Sequence, residues 1–144
     1  QHLVVHAKDE KLGLAAYRWT GEGVELAWKA PKLTRRADAS PLVHDGHVYL
    51  IGAGMRACHD LRTGKQKWKT IAKNDISSPI LADGKIYAYE IKASFLDMVK
   101  ADPSASVLLG RAKLNALRCS SPIIVGNKLL IRMEDRVACY DLGQ

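Results

Sequence analysis

The chain repeats itself, and the repeat narrows its fold more than any other feature does. A Ser-Pro dipeptide opens three similar stretches: SPLVHDGHVYLI at Ser40, SPILADGKIYAY at Ser78 and SPIIVGNKLLIR at Ser121. Their prolines, Pro41, Pro79 and Pro122, stand 38 and then 43 residues apart. Blades of four-stranded sheet recur at about 40–50 residues, whereas helical solenoids of similar period need apolar faces spaced at 3.6 residues. These segments lack that helical spacing.

Each stretch carries the same physical content. Proline is tolerated at the start of a strand but not inside one, so each Ser-Pro is expected to open a short apolar strand. A two-residue turn follows: Asp45-Gly46, Asp83-Gly84 and Gly126-Asn127. Asp-Gly is a strong hairpin signal because the reversed turn wants positive φ at both central residues. A second apolar strand then returns through Tyr49, Tyr87 or Leu130.

The second half of the unit repeats too. RACHDL at Arg56–Leu61 matches VACYDL at Val137–Leu142, so Cys58 and Asp60 answer Cys139 and Asp141, 81 residues later. Thr63-Gly64 then leads to a strand bearing Trp68, and Thr20-Gly21 leads likewise to Trp28. In the middle unit the outer strand is SVLLGRAKL, without tryptophan. Gly64 is expected to supply the positive φ of a tight turn, with Asp60 and Thr63 bonding its backbone. The indoles of Trp28 and Trp68 are expected to pack between neighbouring blades. Such a ring buries roughly 150–250 Å², several kcal/mol at about 25 cal/mol per Å².

This layout predicts an all-β chain with strands near 2–7, 13–19 and 24–30; 39–44, 47–51, 56–61 and 66–72; 78–82, 85–92, 94–100 and 106–114; and 120–125, 128–133 and 136–142. Those groups are antiparallel propeller blades near 1–37, 38–76, 77–118 and 119–144. The middle two are complete. The first lacks its inner strand and the last its outer one, and merging them would duplicate the middle strands. The expectation is therefore a partial ring. It is either the C-terminal portion of a longer propeller or one half of a homodimer closing head to tail. The loop from Lys100 to Ala105, with Asp102-Pro103, is expected to be an outer turn in preference to a short helix.

Composition sets outer bounds. The 144 residues are 47% hydrophobic and 26% charged, as in globular domains. There is no run of about 18 apolar residues and no secretory signal in this stretch. A net charge of +7 could mark a nucleic-acid partner, but the basic residues are scattered. Lys65, Lys67 and Lys69 share one strand face and read as a solvated stripe, with Arg35-Arg36 the next cluster. Nucleic acid is not an expected partner. Three cysteines leave at least one unpaired; Cys58 and Cys139 are expected to be small core residues, and Cys119 precedes the Ser120-Ser121-Pro122 turn.

The unit Ser-Pro, Asp-Gly, apolar-Tyr, Ala-Cys-X-Asp-Leu-X-Thr-Gly-Lys-X-X-Trp resembles the pyrroloquinoline-quinone-like propeller repeat. Ala57–Trp68 carries the resemblance best, through Asp60, Thr63, Gly64, Lys65 and Trp68. The resemblance implies a β-propeller and a periplasmic or extracellular bacterial protein. It also makes the segment from Val137 to Leu142 look like the natural C-terminus of such propellers. Enzymes of that superfamily hold a quinone over the ring axis with a calcium ion, an aspartate base and often a disulfide between adjacent cysteines. This chain has no adjacent cysteine pair, and none of those catalytic residues maps onto it. No cofactor is therefore expected.

Other chemistry is sparse. His44 and His47 flank one hairpin turn and could bind a transition metal weakly, and His2 and His6 share a strand face, but neither pair has a third ligand. Ile51-Gly52-Ala53-Gly54 leads into a strand, not the helix N-terminus that a dinucleotide requires. The expectation is a non-catalytic scaffold whose partner is a protein or the remaining blades. The alternative is part of a quinone-dependent or sugar-directed enzyme whose site lies in other blades.

Overall fold

A computed structural model describes residues 1–31, 33, 39–52, 55–71, 75–117 and 120–143. Among them fourteen strands form four antiparallel sheets, each made of strands consecutive in the chain. The first is β1 (His2–His6), β2 (Leu14–Trp19) and β3 (Val24–Ala30). The second is β4 (Leu42–His44), β5 (His47–Gly52), β6 (Met55–Asp60) and β7 (Gln66–Ile71). The third is β8 (Ile80–Ala82), β9 (Lys85–Glu90), β10 (Phe95–Lys100) and β11 (Val107–Lys113), and the last is β12 (Ile123–Val125), β13 (Lys128–Arg132) and β14 (Val137–Asp141). These are the blades of a β-propeller, two complete and two three-stranded, in the order that the repeat requires.

The hairpins form as their turn residues dictate. His44 faces His47, Ala82 faces Lys85 and Val125 faces Lys128, so each loop has two residues. Asp45 and Gly46 take φ of 44° and 70°, Asp83 and Gly84 take 48° and 64°, and Gly126 takes 57°. Such values suit glycine and, among the other residues, the short polar side chains best.

The Ser-Pro pairs do not lie inside their strands. β4, β8 and β12 start at the residue after Pro41, Pro79 and Pro122. Proline has no N–H for a ladder, so pairing begins one residue on. One pair of the serines acts between blades instead: the Ser40 N–H donates to the Ser78 hydroxyl at 3.2 Å, one full repeat away. The loop after Lys100 is a turn, not a helix. Its Asp102 carboxylate accepts from the Ser104 N–H at 2.8 Å.

The core lies between the blades. Leu14, Ala16, Trp28, Leu33 and Val48 fill the first junction. Tyr49, Ile51, Cys58, Ile76, Ile86, Ala88 and Val99 fill the second, and Tyr87, Tyr89, Leu129, Ile131 and Met133 the third. Cys58 is fully buried as expected, but its counterpart Cys139 is exposed. Cys58 faces the third blade, whereas Cys139 looks outward from the fourth, where no further blade packs among the described residues. The expected Arg35-Arg36 cluster, Cys119 and the second half of the Ile51–Gly54 turn lie outside the described residues.

Candidate functional site

The blade junctions hold the most specific side-chain geometry in the molecule. Trp28 is buried on β3, and its indole N–H donates to the Leu61 carbonyl of the second blade at 2.7 Å. Its ring stacks on His59, with centroids 6.2 Å apart and planes 13° from parallel. Gly64 forms the floor of this slot: a Cβ there would stand 2.6 Å from the Trp28 ring. Gly64 is therefore needed twice, for its φ of 72° and for the indole lying on it. Burial holds the His59 imidazole below its ordinary pKa, and its Nδ1 lies 3.0 Å from the Gly64 carbonyl.

Trp68 repeats the arrangement one blade on. Its indole N–H donates to the Asp102 carbonyl of the third blade at 2.9 Å, and its ring packs 6.4 Å from Tyr49. The turn before it is held by Asp60, whose carboxylate accepts from the Thr63 N–H and hydroxyl, both at 2.7 Å. Those bonds, the hydroxyl's first, lower the Asp60 pKa. Asp141, at the same point of the last blade, accepts from the Gly143 N–H at 2.9 Å and pairs with Lys128. These aspartates hold turns.

A β-bulge recurs beside Trp28 and Trp68. Pairing shifts between Ala16 and Tyr17 opposite Trp28, and between Cys58 and His59 opposite Trp68. In the third blade it shifts between Met98 and Val99 opposite Gly110. Gly110 thus stands where the other two blades carry an indole. The space is not filled. An apolar cavity of about 290 Å³ lies there, lined by Met98, Gly110 and Leu114 from the third blade and by Leu129, Tyr140 and Leu142 from the fourth. Tyr140 and Leu142 are the repeat equivalents of His59 and Leu61, the residues that receive Trp28.

A buried ionic cluster lies where no expectation from the sequence placed one. Asp97 on β10 is fully buried and accepts from Arg56 of the second blade at 2.6 Å and from Arg111 on β11 at 2.6 and 2.8 Å. Glu90, also buried, lies 3.2 Å from Arg56 and 3.3 Å from Arg111. Arg111 also sits 5.0 Å over the Phe95 ring. The four charges come from β6, β9, β10 and β11, so only the fold brings them together.

The predicted metal residues are brought together only in pairs. His44 and His47 face each other across the turn, with His44 3.3 Å from the Asp45 carboxylate and His47 Nδ1 2.7 Å from the Asp45 carbonyl. His6 lies 2.9 Å from the Leu33 carbonyl, while His2 is exposed at the far end of β1. No group of three or more potential metal ligands occurs among the described residues. Lys65, Lys67 and Lys69 are exposed, but the bulge at Lys67 sets Lys65 and Lys69 on opposite faces, so they do not form the single stripe expected.

Fold and site together define the class: a β-propeller segment whose blades lock through tryptophan slots. Solved structures agree on the fold. BamB from Moraxella catarrhalis superposes with a TM-score of 0.66 at 14% identity, over 88% of this chain and 36% of that one. A chain of the mitotic checkpoint complex gives 0.62 at 14% identity, over 98% and 50%, and a europium-containing methanol dehydrogenase 0.53 at 14%, over 69% and 21%. The chain therefore spans half or less of these proteins. No protein-family model matches it, and no curated protein does. No helix among the described residues is long and apolar enough to cross a membrane.

Proposed function

We propose that this chain is part of a non-catalytic, pyrroloquinoline-quinone-like propeller that binds a protein partner outside the cytoplasm of a bacterium. The observation carrying the reading is on β11, the outermost strand of the third blade. Val107, Leu108 and Leu109 are 38%, 49% and 44% exposed there, three apolar residues in a row on an edge. An exposed apolar edge strand is an interaction surface, for it offers unpaired backbone groups and side-chain area together. The likeness to BamB supports the propeller fold on which this reading rests.

The test is photo-crosslinking in the native host, with a benzophenone side chain at Leu109 and, as control, at the exposed Lys69. The expected result is one discrete adduct from position 109, absent from position 69, lost when Leu108→Glu is added and reproduced with the purified partner. Equal, diffuse labelling from both positions would overturn the reading. The likeness to a methanol dehydrogenase favours a second one, in which these blades support a quinone site built elsewhere in the ring. Saturable binding of quinone with calcium by the purified protein would favour it.

A further inference from the structure

The empty slot between the third and fourth blades has a shape that the rest of the molecule explains. At the two preceding junctions one group occupies this place, an indole whose N–H reaches a carbonyl of the next blade. At the third junction the backbone is the same: the bulge is kept, and the Leu142 N–H bonds the Asn127 carbonyl as the Leu61 N–H bonds that of Gly46. Only the side chain is missing, because Gly110 stands at the tryptophan position. We propose that the cavity is a binding site for a planar aromatic ring of the indole type, free or carried on a tryptophan side chain.

The lining fits that ring. Tyr87, the repeat equivalent of the Tyr49 that packs on Trp68, lines one side, and Tyr140, the equivalent of the His59 that stacks on Trp28, lines the other. Aromatic faces of this kind favour an offset or tilted ring between them. By repeat the Leu142 carbonyl matches the Leu61 carbonyl that accepts from Trp28, and the Gly143 carbonyl matches the Asp102 carbonyl that accepts from Trp68. A volume of about 290 Å³ sits at the lower end of ligand pockets, roughly 300–1,000 Å³. The Met98 methyl would lie 3.5 Å from a Cβ at Gly110, so it borders the tryptophan position and, being flexible, can adjust to an entering ring.

The test follows the methyl groups of the three methionines by NMR during titration with indole, with N-acetyltryptophanamide and with naphthalene. Indole should move the Met98 methyl saturably by its ring current, leave Met55 in place, and bind more tightly than naphthalene, which has no N–H. A matching shift with N-acetyltryptophanamide assigns the site to a tryptophan side chain, and a shift with indole alone assigns it to a free small molecule. Gly110→Trp should place an indole in the slot, abolish the titration and raise Tm. Gly110 has no positive φ, so a side chain is permitted there. An unmoved Met98 methyl in the unaltered chain, or equal shifts at Met55, overturns the proposal whether or not that variant folds. The proposal stands apart from the scaffold reading, since an edge-strand partner could bind with this slot filled or empty.

Discussion

At the scale of single residues the charges inside the second junction are decisive. Burial alone would push the Asp97 carboxyl up, but charged hydrogen bonds from Arg111 and Arg56 outweigh it and hold the pKa below the usual value. A carboxyl depressed in the folded state stabilises the fold fully above its unfolded value of about 3.9 and loses that contribution as pH falls through the folded one. Asp97→Asn removes the closer of two carboxylate partners and leaves Arg56 and Arg111 sharing Glu90 alone. At neutral pH the variant should be less stable by about 3 kcal/mol or more. Between neutral pH and about pH 3 it should then lose less Tm than the unaltered chain. Thermal melts at both pH values check this, and an equal loss in the two proteins would show that Asp97 does not set the acid limit.

At the scale of elements, the turns separate two uses of glycine. Gly64 and Gly84 both sit in the left-handed region, at φ of 72° and 64°. A Cβ at Gly84 meets nothing within 4 Å, whereas at Gly64 it strikes the Trp28 ring. Gly84→Ala should cost about 1 kcal/mol of backbone strain, and Gly64→Ala at least twice that, because the indole must leave its slot. Urea midpoints of the two variants measure the difference, and equal midpoints would mean that Trp28 does not depend on its glycine floor. All fourteen strands were legible, because two-residue turns and apolar alternation are local signals. The Trp28 and Trp68 slots were legible as blade packing. Three things were not. The bulges depend on cross-strand register, the Asp97 cluster on four separate strands, and the Gly110 cavity on noticing that a missing side chain can matter as much as a present one.

At the scale of the whole molecule, the first and last blades each have one face on a neighbour and one open. Val4 packs into the first junction, so alternation along β1 turns Leu3 to the open side, where it is 55% exposed. On the last blade the equivalents of Tyr49 and Cys58, residues that the second blade buries against the third, are Leu130 and Cys139. Cys139 is exposed for want of a covering blade among the described residues. The two faces are made of blade-junction residues, and one can serve as the next blade for the other. We propose that two copies of this segment, taken without any further blades, associate through them, Leu3 of one toward Cys139 of its partner. Cys139→Lys puts a charge into that contact at an exposed position, so it should change stability by less than about 0.5 kcal/mol. Sedimentation velocity across a tenfold range of concentration should show association that this variant abolishes. Association of equal strength in both proteins would place the contact elsewhere, and a monomer at every concentration would mean that the open faces do not recognise each other.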